Sequence, residues 1–275
     1  MIPRANITAW RSRAPFGFDT QVEQDLALSR AMVAIFNDPL LRQSLAMRGG
    51  TALHKLYFDP PGRYSEDIDL VQVSAGPAGA MMAALHNTLN PWLGKPRTKQ
   101  GAGRITYIYR FDSESLPVTP LRLKVEINTR EHFTVLGLVQ KEVTVDNPWF
   151  TGKATVITYA LEELLGTKLR ALYQRKKGRD VFDLVLGFER YPQLDAAGVL
   201  RCFERYMSHV GKPASRAQLE ANLHAKRGDP DFTADIAPLL ATSAGPFDPM
   251  KALDRVLDLL VSKVPGDSWK GEKQP

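Results

Sequence analysis

The sequence has very little cysteine, since Cys202 is the only one in 275 residues. A single cysteine allows no disulfide within the chain and gives no basis for a zinc site built from thiolates. The apolar residues around Cys202 have helical spacing, which predicts that Cys202 is a small residue of the core. The five histidines lie in no metal-ligand spacing, and the sequence contains neither a nucleophile elbow nor a complete Walker loop.

Long apolar runs are also missing. No stretch approaches the roughly 20 apolar residues of a membrane span, and the first twenty residues lack the apolar segment of a signal peptide. We therefore expect a cytoplasmic protein. The content of 44% hydrophobic and 24% charged residues is typical of globular domains. The surplus of six positive charges favours a phosphate-rich partner but does not establish one.

The pattern of apolar residues divides the chain into two parts. Before about residue 155, helical segments, among them Pro39–Met47, mix with extended runs such as Ile105–Phe111 and Leu121–Asn128. Beyond about residue 157 only helical periodicity remains. The prediction is an α+β domain with a mixed sheet over residues 1–155, followed by a helical domain over residues 156–275.

Two carboxylates stand two positions apart at the start of an extended run. Asp67 and Asp69 would share one face of a strand, with Ile68 on the other face. Like charges this close repel unless a cation lies between them, and Mg²⁺ prefers such oxygen ligands. A bare pair of this kind is more often a solvated strand end, so the pair needs support from other residues.

That support comes from two directions. Gly49-Gly50-Thr51 opens a helix just upstream, and a helix N-terminus with small residues can bind phosphate, although a plain turn or a helix cap by Thr51 is the alternative. Glu126 lies on the polar face of a strictly alternating strand, and a neighbouring strand could place it beside the aspartates. An ordinary exposed glutamate is equally compatible with the pattern.

A second block carries charges on helices. Lys168 falls at the edge of an apolar helical stripe, where it could extend to solvent. Asp180 opens the next helix, where an acid can serve as the N-cap, and Asp183 follows one turn later. Between the helices, the basic residues Arg175, Lys176, Lys177 and Arg179 are either a solvated loop or contacts for RNA phosphates.

Together these segments resemble the AbiEii/AbiGii toxin family of nucleotidyltransferases, which belongs to the DNA polymerase β superfamily. The resemblance rests on Gly49–Leu56 and Arg63–Leu70, and on Thr167–Leu172 with Arg175 and Arg179–Leu184. It implies a polymerase-β-like nucleotidyltransferase domain before the helical domain, with the active site in a cleft between them. Most of the superfamily has Gly-Ser where this chain has Gly-Gly-Thr.

The resemblance also implies roles for individual residues. Asp67 and Asp69 would bind Mg²⁺ or Mn²⁺ with Glu126 as a further ligand, and Asp67, Asp69, Lys168 and Asp180 would be catalytic. The nucleotide would be held by Gly49, Gly50, Thr51, Ser65, Lys168 and Asp183, and RNA by Arg175, Lys176, Lys177 and Arg179.

We therefore expect a metal-dependent nucleotidyltransferase (EC 2.7.7 class), the toxin of a bacterial toxin–antitoxin system. By the resemblance, which extends to the mycobacterial MenT toxins, it would transfer NMP from an NTP to RNA, at the tRNA 3′ end. The expected partners are tRNA and a cognate AbiEi-like antitoxin, and the expected state is a monomer. Two alternatives stay open: nucleotidylation of a protein or small molecule, and a nucleotide-binding module without turnover.

Overall fold

The computed structural model describes residues 2–271. The chain forms two compact units. The first comprises the chain through Tyr159 together with the short segment Leu240–Ala244, and the second comprises Ala160–Leu239 and the chain from Gly245 onward. The boundary predicted after residue 155 falls inside a strand of the first unit, and the sequence pattern does not indicate the return of residues 240–244.

The first unit is built on one mixed sheet of seven strands in the order β3-β4-β5-β2-β1-β7-β6. Neighbouring strands are antiparallel, except that β2 pairs parallel with β5 and β1 pairs parallel with β7. The strands are β1 Leu45–Arg48, β2 Asp67–Gln72, β3 Arg97–Gly101, β4 Arg104–Asp112, β5 Pro120–Asn128, β6 Leu138–Asn147 and β7 Phe150–Tyr159.

Five helices belong to the same unit: α1 Arg4–Trp10, α2 Asp19–Asn37, α3 Pro39–Ser44, α4 Gly49–Leu56 and α5 Gly79–Leu93. Helices α2 and α5 pack against the apolar side of the sheet. The Tyr109 hydroxyl of β4 reaches Asn90 of α5 at 3.1 Å, and the Gln24 amide of α2 donates to the Arg122 carbonyl of β5 at 2.6 Å. The opposite side of β2 and β5 carries their polar residues.

The alternation predicted for β5 is confirmed. Its apolar residues are almost completely buried, whereas its polar residues keep partial or full exposure. Because side chains alternate between the two faces of a strand, this pattern fixes which face packs against the helices. The buried residues are Leu121, Leu123, Val125 and Ile127.

The prediction of one helix over Pro39–Met47 is wrong in its second half. Helix α3 ends at Ser44, and Leu45–Arg48 forms β1, which lies between β2 and β7. A strand paired on both sides and buried on both faces has a continuous apolar run, which is difficult to distinguish from a buried helix by periodicity. The segment 150–158, predicted as the junction between domains, is likewise most of strand β7.

The second unit contains six helices within the described residues: α6 Leu161–Gln174, α7 Gly178–Arg190, α8 Ala196–His209, α9 Arg216–Lys226, α10 Pro230–Ala234 and α11 Pro249–Leu259. Helix α6 packs against α7 and α8, and α11 packs against α7. The approach of α6 to α8 is close, because a Cβ at Gly166 would lie 2.6 Å from the Cβ of Cys202. Cys202 is fully buried as predicted, and burial raises the pKa of its thiol to about 12.

The returning segment Leu240–Ala244 is held to the first unit by backbone hydrogen bonds. Ala241 donates to the Gly62 carbonyl at 3.0 Å and Thr242 donates to the Pro15 carbonyl at 2.8 Å. Among residues 2–271, no helix has the length and apolar character needed to cross a membrane.

Candidate active site

The two aspartates lie at the start of β2. Ile68 and Leu70 are 0% and 1% exposed on the helix-covered face, so Asp67 and Asp69 project from the opposite face, as the alternation predicts. The Asp67 side chain keeps 26% of its surface exposed. The pair is therefore fixed by a buried strand and remains accessible from solvent.

Strand β5 brings a third carboxylate to the same face. In the parallel pairing of β2 with β5, Asp69 lies opposite Glu126, and Asp67 lies opposite Lys124. Since opposite residues on paired strands project to the same side of a sheet, Glu126 accompanies the two aspartates. It is 27% exposed and lies 3.7 Å from both Lys124 and Arg104. The placement of Glu126 beside the aspartates agrees with the sequence expectation, and its role as a metal ligand stays a prediction.

Lys124 offsets part of this negative charge. Its Nζ lies 2.7 Å from Oδ2 of Asp67 and 3.7 Å from Oε2 of Glu126. Burial raises the pKa of Asp67 to about 6, with a further increase from the charge of Asp69, and the hydrogen bond from Lys124 opposes both. Burial lowers the pKa of Lys124, but the hydrogen bond and charge of Asp67 outweigh burial and raise it overall. Lys124 and, at Glu126, Arg104 therefore offset part of the negative charge of the three carboxylates.

Helix α4 begins directly against Asp69. Gly49 has φ +82°, and a Cβ there would lie 2.3 Å from Oδ2 of Asp69. A Cβ at Gly50 would lie 2.5 Å from the guanidinium of Arg63 and 3.0 Å from Oγ of Ser65. Only glycine allows this backbone conformation and these approaches together. The first turn of α4, with its unpaired N–H groups, is consequently placed beside a carboxylate of the pair.

Thr51 joins α4 to β2. Thr51 is 1% exposed. Its hydroxyl contacts the Asp67 carbonyl at 2.5 Å and Oγ of Ser65 at 2.9 Å. The alternative that Thr51 caps α4 is wrong, because the N-cap position belongs to Arg48 and Thr51 lies one turn further. The contacts of Thr51 and Ser65 fix the start of β2, and their predicted contacts with a nucleotide stay predictions.

Arg48 is a residue of this site that the sequence interpretation missed. It lies opposite Asp69 in the antiparallel pairing of β1 with β2, and its guanidinium forms a salt bridge with Glu131. Burial lowers the pKa of Arg48, but the charge of Glu131 and, secondarily, of Asp69 raises it overall. The sequence does show a basic residue directly before the glycine pair. Its position opposite Asp69, however, depends on the pairing of β1 with β2, and β1 was not predicted.

The second predicted cluster lies in the second unit and is buried. Lys168 of α6 contacts Asp183 of α7 at 2.8 Å and Asp180 at 3.3 Å. The Lys168 side chain is 8% exposed and both carboxylates are 0% exposed. The alternative that Lys168 extends to solvent is therefore wrong. The lysine joins the two helices through charges that are shielded from water.

Asp180 does not cap helix α7. The helix begins at Gly178 with Lys177 at the N-cap position, so Asp180 lies within the first turn. Its carboxylate accepts two hydrogen bonds from Arg175, from Nε at 2.7 Å and from Nη2 at 2.8 Å. A bidentate pair of this kind is among the stronger charged interactions in proteins. Asp180 is thus shared between Lys168 and Arg175.

The basic residues 175–179 follow α6 and extend into the first turn of α7, and all of them are paired within the second unit. Their side chains are 30 to 67% exposed, so water screens these interactions. Arg175 contacts Asp180, Lys176 contacts Asp229 at 2.7 Å, and Lys177 and Arg179 contact Asp235 at 3.1 and 3.0 Å. Their predicted role in binding RNA stays a prediction, and the three aspartates reduce the net charge they present.

The predicted site residues therefore form two groups. Gly49, Gly50, Thr51, Ser65, Asp67, Asp69 and Glu126 lie together in the first unit. Lys168, Asp180 and Asp183 lie together in the second, with the basic residues 175–179 beside them. Within residues 2–271, no three acidic, histidine or cysteine side chains gather closely enough to enclose a metal ion. A cation at the first group would therefore bind to an open face.

The first group thus brings Asp67, Asp69 and Glu126 to one face of the sheet, beside the first turn of α4. A family model described as the nucleotidyl transferase AbiEii toxin of type IV toxin–antitoxin systems matches residues 30–258. The chain belongs to the AbiEii family. The match includes both groups of predicted residues, so the family assignment made from the sequence is confirmed. A comparison with curated proteins found no match.

Several solved structures are similar to this AbiEii protein. MenT4, a nucleotidyltransferase toxin from Mycobacterium tuberculosis H37Rv, has a TM-score of 0.71 and 19% identity, with 96% of this chain and 91% of that chain covered. JHP933 from Helicobacter pylori has a TM-score of 0.49 and 17% identity over 89% of this chain and 91% of that chain. The similarity to MenT4 confirms the predicted α+β fold.

Proposed function

We propose that this AbiEii protein transfers NMP from an NTP to an RNA acceptor, the 3′ end of tRNA, in a reaction that requires Mg²⁺ or Mn²⁺. The observation that supports the proposal is the group formed by Asp67, Asp69 and Glu126 on one open face of the sheet, beside the first turn of α4. The toxin family further supports a cognate AbiEi-like antitoxin as partner.

The donor set fits a divalent cation. Carboxylate oxygens are ligands that Mg²⁺ prefers, and proteins bind Mg²⁺ through one or two carboxylates together with substrate phosphates and water. An open pair therefore suits Mg²⁺ better than an enclosing cage would. The carboxylate of Asp67 already binds one cation, the ammonium of Lys124 at 2.7 Å, which a metal ion would displace or join. Asp67 and Asp69 would hold the cation, and Glu126 would become a further donor only after its side chain moves toward the pair from Lys124 and Arg104.

The bound cation would supply charge neutralisation on the triphosphate and a lower pKa for the attacking hydroxyl. The protein contributes position. Peptide N–H groups at the start of α4, including those of Gly49 and Gly50, would bind phosphate oxygens. The oxygen of the acceptor hydroxyl forms a bond to the α-phosphorus, and the bond from that phosphorus to the oxygen bridging to the β-phosphate breaks. Pyrophosphate leaves with the electron pair of the broken bond, and the hydroxyl proton passes to water.

Lys168 would contact the nucleotide phosphates in this proposal. To do so its ammonium would exchange one of its two carboxylate partners for a phosphate oxygen, while the other partner keeps it in place. Asp180 is suited to the second role, because Arg175 holds its carboxylate from the other side.

The test is a transfer assay with each NTP labelled at the α-phosphate, total bacterial tRNA and Mg²⁺, read on a denaturing gel. Asp69→Asn removes one ligand charge with almost no change in shape, so we expect label on tRNA to fall about a thousandfold or more, as with other electrostatic catalytic groups. Asp146→Asn is the matched control, because Asp146 is an exposed carboxylate of β6, at the edge of the same sheet far from β3.

Each outcome has a defined meaning. Label on tRNA that Asp69→Asn abolishes and Asp146→Asn leaves intact supports the proposal. Full transfer by Asp69→Asn contradicts the role of the aspartate pair. Label on a protein band instead of RNA would favour nucleotidylation of protein, and NTP binding without pyrophosphate release would favour a binding module.

A further inference from the structure

We propose that the open face of strands β3, β4 and β5 is a binding surface for the phosphate backbone of RNA, beside the aspartate pair. This inference rests on the proposed function and adds the place where the acceptor lies. The surface, called here the β3–β5 face, includes six basic residues: Arg97, Lys99, Arg104, Arg110, Arg122 and Lys124.

Strand pairing defines the β3–β5 face. The residues opposite one another across β4 and β5 include Arg110 with Arg122 and Thr106 with Glu126. Across β3 and β4, Lys99 lies opposite Thr106. Since opposite residues project to the same side, Lys99 and Arg110 share the face of Glu126. The packing of the next residue agrees with this assignment. Gln100 directly follows Lys99 and contacts Met82 of α5 on the other side of the sheet.

Three of these cations have no competing partner. In the described part of the chain, Arg97, Lys99 and Arg110 form no ion pair or hydrogen bond through their side chains, and all three are exposed. Arg104 and Arg122 each have one acid at a long distance, 3.7 Å to Glu126 and 3.6 Å to Glu66. These cations are therefore available to a ligand with negative charge.

The basic residues 175–179 differ from those of the β3–β5 face, because their charges already have acidic partners. Each of those four contacts an aspartate of its own unit, so a phosphate would have to replace an existing partner. A cation without a partner loses only water and counterions when it binds a phosphate. On charge alone, the β3–β5 face is the stronger candidate for contact with RNA.

The chemistry of the face fits a backbone better than bases or a protein. Its cations lie on three adjacent strands. Along β3, Arg97 and Lys99 are two residues apart, which separates their backbones by about 6.7 Å, twice the rise per residue. The open-face positions of these strands carry no aromatic side chain on which a base could stack, since Tyr107 and Tyr109 are buried on the other side. Contacts of this type position a nucleic acid without reading its sequence. The face thus explains how one acceptor strand could be aligned with Asp69.

The test compares two triple variants of the full chain. Arg97→Gln, Lys99→Gln and Arg110→Gln together remove the unpaired cations of the face. Arg4→Gln, Arg42→Gln and Lys153→Gln together remove three exposed cations that also lack ion pairs and lie elsewhere in the first unit. Both variants lower the net charge by three, so a difference between them reports location. Unchanged melting temperatures check that both remain folded.

The readout is the anisotropy of a fluorescein-labelled tRNA transcript, titrated at salt concentrations from about 50 to 200 mM. We expect the first variant to raise Kd about tenfold or more. We also expect it to reduce the slope of log K against log salt by about three, because each cation that binds a phosphate contributes about one to that slope. The control variant should change both only slightly.

The outcomes separate this inference from the proposed function. Equal tRNA affinity of the two variants, or no tRNA binding by the unaltered protein, would overturn the RNA surface. Equal affinity for tRNA with a selective loss of binding to a protein partner would assign the face to protein instead. If the first variant loses tRNA binding but the unaltered protein labels no RNA with any NTP, the surface stands and the proposed transfer fails.

Discussion

Two groups of acidic residues in this AbiEii protein differ in how far their side chains are exposed to solvent. Asp67, Asp69 and Glu126 lie on an open sheet face and share one nearby lysine, whereas Asp180 and Asp183 are completely buried around Lys168. Buried charges need partners inside the protein, because removing one partner leaves an uncompensated charge. Partly exposed carboxylates are less constrained, because water or another cation can replace a partner. The first group is suited to binding a cation, and the second to holding two helices together.

The largest effect that sharpens this comparison concerns stability. Lys168→Met removes the cation shared by two buried carboxylates, and we expect it to lower the free energy of unfolding by about 3 to 5 kcal/mol. Chemical denaturation measures the loss. Asp67→Asn in the open group should change the unfolding midpoint far less.

Two controls complete this test. Lys176→Met removes an exposed lysine of the same unit and should leave the midpoint unchanged, since its pair with Asp229 is open to water. Combining Lys168→Met with Asp183→Leu should recover part of the lost stability. A Lys168→Met protein as stable as the unaltered one would show that the buried network is not structural.

The next effect concerns the glycine against which Asp69 packs. Gly49→Ala would place a Cβ 2.3 Å from Oδ2 of Asp69 and would strain a backbone at φ +82°. The carboxylate must move by about an ångström, and we expect transfer activity to fall about a hundredfold. Gly94→Ala isolates backbone strain, because Gly94 has φ +76° and open space around it. Equal activity in the two variants would contradict a positional role for Gly49.

The smallest effect concerns the lysine in the open group. Lys124→Gln removes the ammonium that competes with a cation for Asp67, so we expect Mn²⁺ to bind about tenfold more tightly. Calorimetric titration of the protein without nucleotide measures this change. Arg122→Gln, two positions earlier on the same face, should leave the affinity nearly unchanged. An unaltered affinity of Lys124→Gln for Mn²⁺ would indicate that Asp67 is not a ligand of the metal ion.

Much of the open group was predictable from the sequence, because its signals are local. The two-residue period of β5 and of the Asp67–Asp69 pair follows from strand geometry, and the glycines lie just upstream in the chain. The resemblance to the AbiEii family supplied the roles. The placement of Glu126 beside Asp69 required only that β2 and β5 be neighbours.

Other features depend on distant partners and could not be predicted in this way. Strand β1 has four residues, too few for a period, and its pairing with β2 and β7 decides its conformation. The burial of Lys168 follows from the packing of α6 against α7. The neutralisation of Lys177 and Arg179 depends on Asp235, more than fifty positions away. Periodicity within one segment contains none of this information.

The return of Leu240–Ala244 to the first unit has a consequence for biosynthesis. The backbone partners of Gly62 and Pro15 emerge from the ribosome only after most of the second unit has been made. At about 5 to 20 residues per second, the roughly 85 residues between Tyr159 and Ala244 take roughly 4 to 17 s. The unit that carries the aspartate pair therefore cannot complete its backbone hydrogen bonding on a nascent chain until residues 240–244 have left the ribosome.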